Sequence, residues 1–243
     1  MELTQAFIIL IDISGYTKFI QKHRVSLIHA ESIITELLES VIDASEHPLI
    51  LNKLQGDAAL FYARSDGRRE TAQEVLGQLQ RFFIAFAKRE TLLVSECSLC
   101  SCEACLSAGQ LKLKVIAHHG EVAVKQVKQF EEIAGSDVIL AHRLLKNTVK
   151  GGEYLMLSKA LHELCGSIDG REPELRKEHC EGIGEVEVMV YYPEGAVRET
   201  PVAKVSFWDK LRMVAKMEMH SLKRLISRPA KEYVNFKESQ KSR

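Results

Sequence analysis

The chain has 243 residues, 46% of them apolar and 27% charged, enough to enclose one full hydrophobic core with an appendage and too apolar for a disordered or fibrous chain. Its 33 basic and 33 acidic side chains balance, which gives no reason to expect nucleic-acid binding by the chain as a whole. The longest early apolar run, Ala6 to Ile11, falls well short of the roughly 20 residues that span a bilayer, and no basic n-region precedes it, so a cytoplasmic location is expected.

In chain order, Ala6 to Ile13 (AFIILIDI) is rich in branched residues and ends at Ser14 and Gly15, which predicts a buried strand and a tight turn, with Asp12 at the strand's carboxyl end. His29 to Ala44 places Ile33, Leu37, Leu38 and Val41 at helical spacing, and Pro48 follows as a stop. Leu49 to Leu54 and Ala58 to Ala63 predict a hairpin turning at Gln55-Gly56-Asp57. Glu70 to Glu90 predicts a second helix that buries Val75, Leu76, Leu79, Phe82, Phe83 and Phe86 on one stripe. After a cysteine-rich stretch, Leu111 to His118 reads as a strand, Gly120 as a turn and Val122 to Val127 as the partner strand. A helix over Ser136 to Lys146 follows, then strands over Glu153 to Leu157, Leu175 to Glu178 and Glu185 to Tyr192. This order of elements predicts an α+β fold with helices packed on one sheet face, spanning residues 1–195 with a cysteine-rich insert at 95–108.

Two carboxylates at the ends of adjacent strands raise each other's pKa unless a counter-charge lies between them. Asp12 and Asp57 are such a pair, and hard oxygen ligands of this kind suit Mg2+ or Mn2+ held jointly with substrate phosphates. Each Asp taken alone also fits an ordinary strand-end cap. His118 and His119, beside the expected turn, fit a structural role better than a catalytic one, although His119 lies close in sequence to the cysteine stretch.

The flanks of the two aspartates add to this. Ile11 to Thr17 (IDISGYT) resembles the "D-I-x-G-F-T" signature of class III adenylate and guanylate cyclases, and Lys53 to Asp57 (KLQGD) resembles their "K-x-x-G-D". Val115 to Val122 (VIAHHGEV) and Gly135 to Leu144 (GSDVILAHRL) resemble two later signatures, in the same order. The resemblance covers roughly Phe7 to Tyr191. It implies a ferredoxin-like βαββαβ core working as a homodimer on a nucleoside triphosphate. Asp12 and Asp57 would then bind Mg2+ or Mn2+, and Arg143 would stabilise charge on the phosphoryl group. Lys53 would contact the base, Glu132 would stand at the base-selecting position, and the backbone of Ile13, Gly15 and Tyr16 would lie against the phosphates. The implied reaction is attack of the ribose 3′-oxygen on the α-phosphorus with loss of pyrophosphate. The chain departs from the pattern at three places: Ile139 replaces the Asn that binds the ribose, Glu132 replaces the Asp of adenylate cyclases, and Glu181 replaces a phosphate-reaching Lys. A working cyclase and a catalytically degenerate binding or regulatory module of the same fold both remain open.

Cys97, Cys100, Cys102 and Cys105 form C-x2-C-x-C-x2-C. Four thiolates in nine residues suit a structural Zn2+, with redox or iron-sulfur chemistry and a plain reduced loop as alternatives. Cys165 and Cys180 read as buried small hydrophobes. From Lys204 to Arg243 there are eleven Lys/Arg against four Asp/Glu, so residues 196–243 form a separate basic tail. Within it Trp208, Leu211, Ala215, Met219, Leu222 and Ile226 recur at helical spacing. Such an amphipathic helix suits packing on the domain, pairing in a dimer, or contact with an anionic membrane surface.

Overall fold

The computed structural model describes residues 1–193 apart from 24–26, 97–103, 105–106, 151 and 169. The four clustered cysteines and the basic tail lie outside the described residues. No described helix is long and apolar enough to cross a membrane.

The core is built around β1 (Glu2–Ser14), whose run from Ala6 to Ile11 is buried on both faces. Because side chains alternate along a strand, Phe7, Ile9, Ile11 and Ile13 enter one apolar core while Ala6, Ile8 and Leu10 enter a second. A Gly15 φ of +93° ends the strand and starts the short helix α1 (Tyr16–Lys22); only glycine adopts this conformation without strain. Next come α2 (Leu27–Asp43), the hairpin β2 (Ile50–Gln55) and β3 (Ala58–Arg64), and α3 (Arg69–Glu96). The sheet continues with β4 (Lys112–Val127) and β5 (Phe130–Ala134), and α4 covers Ser136–Leu144. The chain then adds β6 (Tyr154–Ser158), α5 (Lys159–Cys165), β7 (Glu174–Cys180) and β8 (Gly184–Tyr191).

One eight-stranded sheet results, in the order β2-β3-β1-β4-β6-β8-β7, with β5 paired to β4. The α+β class expected from the sequence is present, the long helices packing on one sheet face. The stripes of α2 (Ile33, Leu37, Val41) and α3 (Val75, Leu79, Phe82, Phe86), together with Leu161 of α5, bury on the first face. Each large apolar side chain so enclosed contributes about 2 kcal/mol. One short helix, α4, lies on the opposite face, where Val138, Ala141 and Leu144 meet Ile8 and Leu10. Cys165 and Cys180 are buried, as expected of small hydrophobes.

Gly120 is where the sequence-based reading needs correcting. β4 runs straight through it, paired with Ala6 of β1, so Val122 to Val127 continues the preceding strand and does not fold back on it. The glycine is needed for closeness: a Cβ there would stand 2.4 Å from the Asp137 carboxylate. The true turn comes at Lys128, whose φ is +55°, and the partner strand is β5, which the sequence reading lacked along with α1 and α5.

Candidate functional site

Asp12 shares the Leu10 face of β1, opposite the large helices, and pairs in register with Ala58 on one side and Lys114 on the other. Gly56, at a φ of +62°, turns the β2–β3 hairpin and delivers Asp57 beside it. The Asp57 carbonyl accepts a hydrogen bond from the Ile13 amide at 3.2 Å, locking the hairpin turn to the end of β1. Burial, and next the Asp12 carboxylate, push the Asp57 carboxyl up to about 6 from 3.8. Lys114 Nζ lies 3.3 Å from Asp12 Oδ2. Lys114 was not singled out from the sequence, although its place four residues before His118 on the same strand faces it toward Asp12.

Both aspartates line a hollow of about 570 Å3 beneath α4. Lys53 and Gln55 of β2 and His142, Arg143 and Lys146 of the α4 segment add polar groups to it, over an apolar floor that includes Leu10 and Leu60. Four residues singled out from the sequence, Asp12, Asp57, Lys53 and Arg143, thus meet in one place. Ile139 faces the same space. Arg143 Nη1 is 2.9 Å from Glu181 Oε2, an ion pair whose Glu is 83% exposed; such a pair is worth at most about 1 kcal/mol and yields readily to a stronger anion. Burial, aided by the neighbouring Lys53 charge, holds the His142 imidazole below its ordinary value.

Glu132, Ile13, Gly15 and Tyr16 do not line the hollow. Glu132 sits on β5 with Lys125 Nζ 3.7 Å away. Ile13 is buried in the first core, and Gly15 and Tyr16 carry the chain into α1, the Tyr16 hydroxyl donating to Glu31 at 3.0 Å. His118 sits 2.7 Å from Ser158 Oγ and 3.3 Å from Asp137 Oδ1. This order of groups has the look of a hydrolytic triad, but His118 and Ser158 are buried, Ser158 caps α5 through the Leu161 amide, and none of the three lines the hollow. The arrangement ties α4, β4 and β6 together. His119 stacks on Phe7 and lies 3.0 Å from Ser65.

The uncharacterized protein Rv2561/Rv2562 of Mycobacterium tuberculosis is 34% identical to this chain over 195 residues, which cover 79% of the chain and 89% of that protein. The chain belongs to its family. A family model described as "Protein of unknown function (DUF2652)" matches residues 34–154, a stretch that contains Asp57, Lys114 and Arg143 and stops short of Asp12.

Among solved structures, the guanylyl cyclase Cya2 superposes with a TM-score of 0.60 at 14% identity, over 81% of this chain and 96% of that one. The adenylyl cyclase CyaB from P. aeruginosa gives 0.55 at 15% identity, over 79% and 96%. The guanylate cyclase domain of RhGC from Catenaria anguillulae, solved in complex with GTP, gives 0.51 at 12% identity, over 80% and 100%. At these identities the likeness is one of fold: the chain has the fold of adenylyl and guanylyl cyclase catalytic domains.

The acid pair suits a hard divalent cation. Burial, with Asp12 second, raises the Asp57 carboxyl to about 6, and the Lys114 ammonium at Asp12 offsets part of the pair's charge. No group of three or more His, Cys, Asp or Glu side chains able to hold a metal occurs among the described residues. A cation here would draw its remaining ligands from phosphate oxygens and water, as Mg2+ commonly does.

Proposed function

We propose that this chain binds a nucleoside triphosphate with Mg2+ or Mn2+ in the hollow beneath α4, and that the chemistry of the site is closure of the 3′,5′-cyclic nucleotide with release of pyrophosphate. The observation that carries this reading is the Asp12–Asp57 pair facing a hollow also lined by Lys53, Arg143 and Lys146. A hollow with both carboxylates and basic side chains matches a metal–polyphosphate ligand, whose cation seeks carboxylates and whose oxygens seek cations. The fold supports the same reading, since a structural neighbour of like architecture was solved with GTP.

In the reaction the ribose 3′-oxygen passes its proton to solvent and bonds to the α-phosphorus, and the bond from that phosphorus to the bridging oxygen breaks, its electron pair leaving with pyrophosphate. A divalent cation held there would supply charge neutralisation and lower the pKa of the attacking hydroxyl. Asp12 and Asp57 hold that charge in place. Lys114, bonded to Asp12, fixes the direction of its carboxylate. Arg143, released from its exposed pairing with Glu181, sets a guanidinium against the charge that builds on the phosphoryl oxygens. Ile139 offers the ribose no hydrogen bond, and this favours slow turnover; losing one transition-state donor typically costs about 10²-fold or more.

The test is direct: purified protein is incubated with ATP, GTP, CTP or UTP and Mn2+, and products are read by mass spectrometry. A cyclic nucleotide that vanishes in Asp57→Ala supports catalysis. Metal-dependent triphosphate binding without product makes the chain a binding module of the same fold, the reading that Ile139 favours.

A further inference from the structure

Three basic side chains, Lys53, Arg143 and Lys146, line the hollow beside its two carboxylates. Arg143 is engaged by Glu181 and Lys114 by Asp12, whereas Lys53 and Lys146 have no ion-pair partner among the described residues. Unpaired ammonium groups on the wall of a concavity suit an anionic ligand.

The backbone that carries Lys146 is held by a run of hydrogen bonds. The Lys146 amide closes the end of α4 on the Arg143 carbonyl at 3.0 Å. The next residue, Asn147, bonds through its side-chain amide to the Leu144 carbonyl and the Tyr154 hydroxyl, both at 2.7 Å. Thr148 donates from its amide and its hydroxyl to the Glu178 carboxylate at 2.9 and 3.1 Å, and Arg176 Nε reaches the same carboxylate at 3.2 Å. Glu178 is only 2% exposed. Burying a carboxylate costs several kcal/mol unless it is paired and hydrogen-bonded. Here that group anchors a turn whose side chain at the hollow is Lys146.

Resting on the reading of the hollow as a nucleoside triphosphate site, we infer that Lys146 is a phosphate-binding residue, its ammonium set against the non-bridging oxygens of the polyphosphate chain. Its position after α4 lies outside the cyclase signatures that Asp12, Lys53, Asp57 and Arg143 match. It adds a cation to the hollow near Arg143, which Glu181 engages.

The experiment measures binding by calorimetry on the full chain, with each of ATP, GTP, CTP and UTP plus Mn2+, with the matching nucleosides, and with Mn2+ alone. In Lys146→Ala the tightest triphosphate is expected to weaken by about 10- to 100-fold, the loss of one charge-assisted contact. Nucleoside and Mn2+ affinities stay as in the unsubstituted protein, and Lys146→Arg keeps most of the triphosphate affinity. Unchanged triphosphate binding in both Lys146→Ala and Lys146→Glu overturns the assignment while leaving the site itself standing. A parallel loss of Mn2+ affinity also overturns it, by showing that the substitution disturbs the acid pair. If the unsubstituted protein binds Mn2+ but no triphosphate, the reading of the hollow fails as well.

Discussion

The Asp57 carboxyl, pushed up to about 6 by burial and by Asp12, gives metal binding a definite pH dependence. The proton and the cation compete for the same oxygens, so the raised pKa favours the proton. Mn2+ affinity should therefore rise as pH increases toward 6 and level off above it, falling about tenfold per pH unit on the acid side. Thermal shifts with Mn2+ from pH 5 to 8 measure this, and in Asp57→Asn both the shift and its pH dependence should vanish. At position 139 the sign is reversed. Ile139 is 55% exposed and lines the hollow, so Ile139→Asn leaves the core intact and supplies the missing donor. Cyclic nucleotide formation should rise by about 10²-fold, read as product per unit time by mass spectrometry; an unchanged rate would mean that residue 139 does not reach the ribose.

At the scale of elements, two close approaches hold α4 and α5 against the sheet. Gly120→Ala should destabilise the protein by about 1–3 kcal/mol, since the new methyl group collides with Asp137, and Asp137→Gly in the same chain should restore part of the loss in urea unfolding. Ser158→Ala removes the cap of α5 and strands the buried His118 Nδ1, a combined cost of about 2–3 kcal/mol by the same measurement. Gly120 also shows why some elements escaped the sequence. A glycine between apolar runs signals a turn or a close approach equally well, and the neighbour that decides, Asp137, is 17 positions away. The seven-residue α1 and α5 are too short to display helical periodicity. The stripes of α2 and α3 and the unbroken apolar run of β1 were legible because each needs only its own residues to show which face is buried.

At the scale of the whole molecule, the aspartate pair was readable because the two carboxylates arrive with their turn glycines, Gly15 and Gly56, in short local patterns. Lys114, His142 and Lys146 were not, because their relation to the hollow arises only when β4 and α4 are folded against β1. Glu132 shows the converse: its alignment with a signature position did not bring it to the hollow. Because Asp57 and Arg143 line the hollow of one chain, Asp57→Ala and Arg143→Ala should each be inactive, and mixing the two should restore no product. Product recovered on mixing would show that the site is shared between two copies.

The most direct measurement is calorimetric titration of the full-length chain with a nucleoside triphosphate in the presence and absence of Mn2+. The predicted result is binding that requires Mn2+ and is lost in both Asp12→Ala and Asp57→Ala. Binding that is equally tight without the metal, or that survives both substitutions, would contradict the assignment of the Asp12–Asp57 pair as the metal-holding edge of a nucleotide site.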